Sequence, residues 1–145
     1  MKDYMKIAIK EANKSLKHND VPVGCVIVKN NKILSKSYNK REKSNKITKH
    51  AEIIAIEKAS KKLKTWHLDD CILYTTLEPC LMCVSVILQS RIKKVIYALN
   101  NEKNTFNIEQ LKNIDEDAKK IVFEKGNYSE ESLEMLQKFF QKQRW

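Results

Sequence analysis

The chain has 145 residues, 42% of them hydrophobic, with 28 Lys or Arg against 18 Asp or Glu and a formal net charge of +10. That length supports one core of ordinary size and no second, so residues 1–145 read as a single domain. No apolar run reaches membrane-spanning length and no leader pattern opens the chain, which argues against a membrane role and predicts a cytoplasmic location, where four cysteines stay reduced.

Met5, Ala8, Ile9, Ala12 and Leu16 recur at helical spacing and predict a first helix that Asp20 and Pro22 bring to an end. Gly24–Val28 and Ile33–Tyr38 are strand-like runs on either side of Asn30-Asn31, a pair that tolerates the left-handed backbone of a type I′ hairpin. Ala51, Ile54, Ala55, Ala59 and Leu63 mark a long helix over 51–63, with His50 and Glu52 in its first turn. Cys71–Leu77 reads as a short buried strand. Pro79 suits the first position of the next helix, which sets Cys80 and Cys83 three apart on one face. Lys94–Ala98 and Ile121–Glu124 supply a fourth and a fifth strand. Ser129 is the expected cap of a last helix, with Leu133, Leu136, Phe139 and Phe140 facing inward. Strands alternating with helices after the hairpin predict an α/β fold with three α/β/α layers: a mixed five-stranded sheet, parallel in its later part, with helices on both faces.

The chemistry concentrates in His50-Ala51-Glu52 and Pro79-Cys80-Leu81-Met82-Cys83. One imidazole and two thiols are zinc-type ligands, and three protein ligands leave a fourth position open to water. Glu52, a carboxylate outside the ligand set, can move that water's protons. Two helix N-termini converge on the metal in this reading and favour thiolate over thiol, and two thiolates cancel the charge of Zn2+. A lone C-x-x-C is more often a structural knuckle or a redox pair, and a lone His at a helix start is usually a cap or core residue. Against these stand the lack of a second C-x-x-C or H-x-x-x-H to close a four-ligand site, and the carboxylate two residues from His50. Cys25 and Cys71 lie within apolar runs and read as small buried hydrophobes.

Charge is distributed unevenly. Residues 29–64 hold 12 Lys or Arg against 3 acidic residues, whereas residues 108–134 hold 8 acidic against 4 basic. Lys40, Arg41, Lys43, Lys46 and Lys49 crowd the loop that leads into His50, where they can neutralise phosphates flanking an inserted nucleotide. The plainer alternative is a general richness in lysine, since 25 of the 28 basic residues are Lys.

Residues 20–28 (Asp-Val-Pro-Val-Gly-Cys-Val-Ile-Val), Tyr38-Asn39, His50-Ala51-Glu52-Ile53, the run Tyr74–Cys83 and Ser90-Arg91-Ile92 resemble the bacterial tRNA-specific adenosine deaminases, in register from about Tyr4 to Ala98. The His-x-Glu and Pro-Cys-x-x-Cys pair alone is the wider signature of zinc-dependent base deaminases. The resemblance implies a cytidine-deaminase-like fold, a homodimer, one catalytic zinc per subunit, and conversion of the wobble adenosine of a tRNA anticodon to inosine. It implies that His50, Cys80 and Cys83 ligate zinc and that Glu52 carries protons. Asn39 matches a position that hydrogen-bonds the purine, although an Asn after a strand is otherwise a turn residue. The Ala51 amide, at a helix start, is placed to meet the polar edge of the base. Glu78 orients the helix of the cysteines, and the basic end of the last helix, Lys142 and Arg144, resembles the family's C-terminus.

After Ala98 the chain departs from the pattern. Where the family has an aspartate and a Gly- and Ala-rich stretch, this sequence reads Leu99-Asn100-Asn101-Glu102-Lys103-Asn104-Thr105-Phe106. Asn101 takes the aspartate's place beside the sugar, an exchange expected to weaken discrimination between RNA and DNA by losing a charged acceptor for the ribose 2′-OH. A small-molecule deaminase of guanine, cytosine or a nucleotide is the second reading, and it needs no lysine-rich entrance. A non-catalytic, zinc-stabilised nucleic-acid-binding module is the third, and the intact Glu52 argues against it.

Overall fold

The computed structural model describes residues 2–143. In chain order the elements are α1 (Tyr4–Ser15), a 3-10 turn (Leu16–His18), β1 (Gly24–Lys29), β2 (Lys32–Tyr38), α2 (Arg41–Ser44), α3 (Ala51–Leu63) and β3 (Cys71–Leu77). There follow α4 (Leu81–Gln89), β4 (Lys94–Leu99), α5 (Ile108–Lys112), a second 3-10 turn (Asp117–Lys120), β5 (Val122–Lys125) and α6 (Ser129–Lys142). The sheet order is β2-β1-β3-β4-β5. β1 pairs antiparallel with β2 and β3, and the β3–β4 and β4–β5 pairs are parallel. Asn30 and Asn31 both have positive φ (50° and 60°), as the type I′ turn between β1 and β2 requires.

β1 is buried on both faces, and its alternation divides the core in two. Cys25 and Ile27 face Ala51, Ala55 and Ala59 of α3 and Ile87 of α4. Val26 and Val28 face Met5 and Ala8 of α1. α6 joins the α1 layer, where the Tyr128 hydroxyl donates to Asp3 and the Ser132 Oγ donates to Thr76 O at 2.7 Å. α1 crosses β1 so closely that a Cβ on Gly24 would stand 1.9 Å from Ala8 O and 2.6 Å from Ala12 N. Only glycine allows that approach, and it draws the C-terminal end of α1 to the β2 end, where Ser15 Oγ donates to Asn39 O at 3.0 Å.

Two helices differ from expectation in which stripe they bury. α6 turns Ser132, Met135 and Phe139 inward and leaves Leu133 and Phe140 exposed (42% and 37%). Helical periodicity admits both stripes, and the buried bond from Ser132 to Thr76 selects the one that includes a serine. Ser129 is the first helical residue and not the cap; Tyr128 precedes it in the left-handed conformation (φ 74°) without a side-chain cap bond. In α1, Glu11 and Ser15 are buried with Met5, Ala8 and Ala12, while Ile9 and Leu16 are half-buried. Cys25 and Cys71 are buried as expected.

Candidate metal centre

The end of the sheet that carries the C-termini of β3 and β4 also carries the start of α3 and the start of α4. His50, with an extended backbone (φ −76°, ψ 154°), is the N-cap residue of α3, and Cys80 (φ −71°, ψ 171°) is that of α4. His50 and Cys80 therefore precede their helices and do not lie in the first turn, and Pro79 stands outside α4 and not at its first position. The reason is geometric: an extended cap residue swings its side chain off the helix axis, which lets both groups turn toward the facing helix. Cys83, in the first turn of α4, completes the group.

The Cys80 Sγ lies 3.7 Å and the Cys83 Sγ 3.5 Å from His50 Nδ1, and all three donor atoms fall within 4.8 Å of one another. Tetrahedral zinc, with bonds of about 2.3 Å to sulfur and about 2.0 Å to nitrogen, places S and N roughly 3.5 Å apart, so the three residues fit that ion without rearrangement. The electrostatics suit a cation as well. The Cys80 thiol is drawn down to about 4, chiefly by the hydrogen bond from Cys83 and further by His50. The Cys83 thiol is held far up by the same bond and by burial, so it carries the proton that a metal would displace. His50 is raised by its bond to Cys80.

Glu52 sits beside this triangle at 4% exposure. Burial pushes its carboxyl up to about 7, against the pull of its own backbone amide, His50 and Cys83. A carboxyl so placed exchanges a proton readily near neutral pH. The N–H of Ala51, first in α3 and next to His50, has no acceptor within its own helix. Ser37 Oγ donates to Ala51 O at 2.5 Å and Ser35 Oγ to Ala55 O at 2.8 Å, fastening α3 to β2.

Asn39 is buried, and its side chain is committed at both ends: Nδ2 donates to Val21 O at 3.1 Å and Oδ1 accepts from Arg41 N at 3.2 Å. It thus shapes the turn from β2 into the basic loop, with one donor and one acceptor position to spare. Lys40 N donates to Lys49 O at 2.9 Å, closing that loop directly before His50. Arg41 lies near enough to work against a positive charge on His50.

Asp20, which composition suggested only as a helix terminator, is fully buried and accepts from Glu42 N (2.5 Å) and Lys43 N (3.2 Å). It caps α2 from 22 residues away, a role with no signal in local sequence. Asp20→Ala should lower unfolding stability by about 1–3 kcal/mol through the two amides left unpaired. Hydrogen exchange at Glu42 and Lys43 should speed up selectively, and exchange unchanged from wild type at both amides would show that another group holds them.

The glycine-free loop is tied to the turn before Cys80. Asn101 N donates to Glu78 Oε1 at 3.0 Å, Asn101 Nδ2 to Glu78 O at 3.4 Å, and Asn104 Nδ2 to Pro79 O at 3.0 Å. Asn101 Oδ1 accepts from Lys103 N at 3.1 Å. Lys103 Nζ stands 4.9 Å from the Phe140 ring centroid, which brings the last turn of α6, with the exposed Lys142, to the same loop. Arg144 lies outside the described residues. The asparagines replace the missing glycines with side-chain bonds to backbone, a pattern visible only once Glu78 and Pro79 are in place.

Comparison with known proteins agrees with this geometry. Residues 1–99 match the family described as the cytidine and deoxycytidylate deaminase zinc-binding region. A tRNA-specific adenosine deaminase of Aquifex aeolicus is 38% identical over 97% of this chain and 94% of its own length. A solved structure from work on A-to-I editing by tRNA:A34 deaminases superposes with a TM-score of 0.80 at 28% identity, covering 92% of this chain and 98% of the other. A guanine deaminase structure from Bacillus subtilis reaches a TM-score of 0.65 at 41% identity, covering 69% of this chain and 66% of the other.

Proposed function

The chain belongs to the cytidine and deoxycytidylate deaminase family, and from that premise we propose that it is a zinc-dependent deaminase converting adenosine to inosine at the wobble position of a tRNA anticodon. The observation that carries the reading is a buried, proton-exchanging Glu52 against a His50, Cys80 and Cys83 triangle with zinc spacing. When bound, zinc supplies a Lewis acid whose open position makes water acidic near neutrality. Glu52 takes the water proton on its carboxylate as the water oxygen adds to C6 of the purine. It delivers that proton to the adjacent ring nitrogen, then carries the proton of the new C6 hydroxyl to the exocyclic amine, so that the C–N bond breaks, ammonia leaves and the C6 carbonyl of inosine forms. The Ala51 amide and Asn39 hold the base, and Asn101 lies toward the sugar side. Lys40, Arg41, Lys142 and Arg144 meet phosphates.

The same proposal includes one zinc per subunit, a single catalytic domain over residues 1–145, a cytoplasmic location and a homodimer. The homodimer draws support from the side of α4, where a groove of about 560 Å³ is lined by Trp66, Leu88, Leu111 and Ile114 together with Ser85, Gln89, Arg91, Asp115 and Asp117. Trp66 and Ile114 are 59% and 82% exposed there. Among the described residues no helix is long and apolar enough to cross a membrane.

Incubating the zinc-loaded protein with an anticodon stem-loop bearing the wobble adenosine, and separately with guanine, cytosine and deoxycytidylate, tests the substrate. Inosine in the RNA with equal ammonia is the expected result. Ammonia from guanine alone would replace this reading with that of a small-molecule deaminase such as the Bacillus subtilis guanine deaminase. The basic entrance favours RNA. Neutralising Lys40, Arg41, Lys43 and Lys46 together should weaken stem-loop binding and flatten its salt dependence by roughly one unit of log-log slope per lost phosphate contact. An unchanged slope would make these residues merely solvated.

A further inference from the structure

Three lysines from three different segments converge beside the open edge of β2. Lys40 Nζ lies 4.7 Å and Lys14 Nζ 5.9 Å from the centroid of the Tyr38 ring. Lys58, on α3, reaches over the edge strand and donates to Lys36 O at 3.1 Å. Burial lowers the Lys58 ammonium, and Lys40 and then Lys14 repel it while Glu11 attracts it, so the groups act on one another. Glu11, at 5% exposure, pairs with Lys14 at 2.7 Å and is the carboxylate among them, which leaves a surplus of two positive charges.

Shielding an open strand edge accounts for Lys58 alone. It does not account for two further ammonium groups set 4.7 and 5.9 Å from the centroid of one ring, where both repel Lys58. An anion at this point relieves that repulsion. The position also suits an extended polyanion. Lys58 is eight residues beyond His50 on α3, about 12 Å at 1.5 Å per residue, too far for the target base and near enough for a neighbouring nucleotide. Tyr38 leads directly into Asn39 and the basic loop.

We infer that Lys14 and Lys40, over the Tyr38 ring, and Lys58, at Lys36 O on the same edge strand, form a cradle for a phosphodiester of the RNA strand flanking the target nucleotide. This surface rests on the tRNA reading above and adds α1 and α3 to the binding face. Ammonium groups read phosphate without regard to base, so the contact contributes affinity and register and no sequence preference.

The test is equilibrium binding of the anticodon stem-loop by the zinc-loaded protein over a range of salt concentrations. Lys14→Gln with Lys58→Gln should reduce the log-log salt slope by about 0.7–0.9 units, the value of one phosphate contact, and Lys58→Gln alone by about half of that. Lys14→Arg with Lys58→Arg should keep the wild-type slope. Lys119→Gln with Lys120→Gln removes the same charge at the β5 side and should leave the slope unchanged. The cradle is overturned if the Lys14 and Lys58 glutamine pair gives the slope of the Lys119 and Lys120 pair, or if the arginine pair loses as much as the glutamine pair. Because Lys58 has no carboxylate ion-pair partner among the described residues, its single variant carries the test even where Lys14→Gln unfolds the chain by stranding Glu11. Absence of salt-dependent binding in the wild type would overturn the RNA reading itself, whereas normal wild-type binding with unaffected variants overturns the cradle alone.

Discussion

Glu52→Gln is expected to keep the fold and the zinc and to lose about 10²–10⁴ of the turnover, the range that a positioned general acid and base contributes. The amide has the shape of the carboxylic acid and cannot take the proton. Because Glu52 is buried and its carboxyl is pushed up to about 7, the protein pays for any charge there, and a neutral amide should leave the melting temperature equal or higher. Zinc content by elemental analysis, thermal melting and inosine formation separate the possibilities. Retained turnover within a few-fold of wild type would assign the proton to another group, and loss of zinc would make Glu52 a ligand.

Cys83→Ser is expected to cost more than Cys80→Ser in stability, although both should lower zinc affinity by more than about 100-fold, since outer partners of ligands alone are worth 10–100-fold. A serine hydroxyl does not ionise as a thiol does, so either change removes one anionic donor. Their surroundings differ. Cys83 is fully buried and packed under α3, where a hydroxyl needs a new partner. Cys80 is half-exposed and is the N-cap of α4 without a side-chain cap bond. Serine is a favoured N-cap, so Cys80→Ser recovers about 0.5–2 kcal/mol of what metal loss removes. Denaturant melts in the presence of chelator and with added zinc should show the two metal-free variants separated, with Cys80→Ser the more stable. Full zinc occupancy in Cys83→Ser would remove Cys83 from the ligand set.

The motif chemistry was legible because ligand type and spacing constrain it locally. An imidazole, two thiols three apart and a carboxylate two residues from the imidazole leave few alternatives, and the structure brings these donors to zinc distances. The strand order could be anticipated in part, since an Asn-Asn turn pairs β1 with β2 and helical crossovers make later pairs parallel. Burial on α6 could not, because two stripes with the same period compete and the deciding hydroxyl bond joins residues 56 apart in sequence.

By itself, then, the sequence determined which atoms can hold a metal and move a proton, along with the layered fold that a strand and helix rhythm requires, because both depend on residue identity over short spans. Tertiary structure alone decided which polar side chains serve as struts. Asp20 caps α2, Asn101 and Asn104 hold the turn before Cys80, and Ser37 and Ser35 clasp α3. It also decided that Lys14 and Lys40 share the Tyr38 ring and that Lys58 reaches the same strand edge. The physical reason is the same in each case: a hydrogen bond or a Coulomb field depends on distance in space, and its partners here are 20 or more residues apart along the chain or lie on separate elements that only folding brings together.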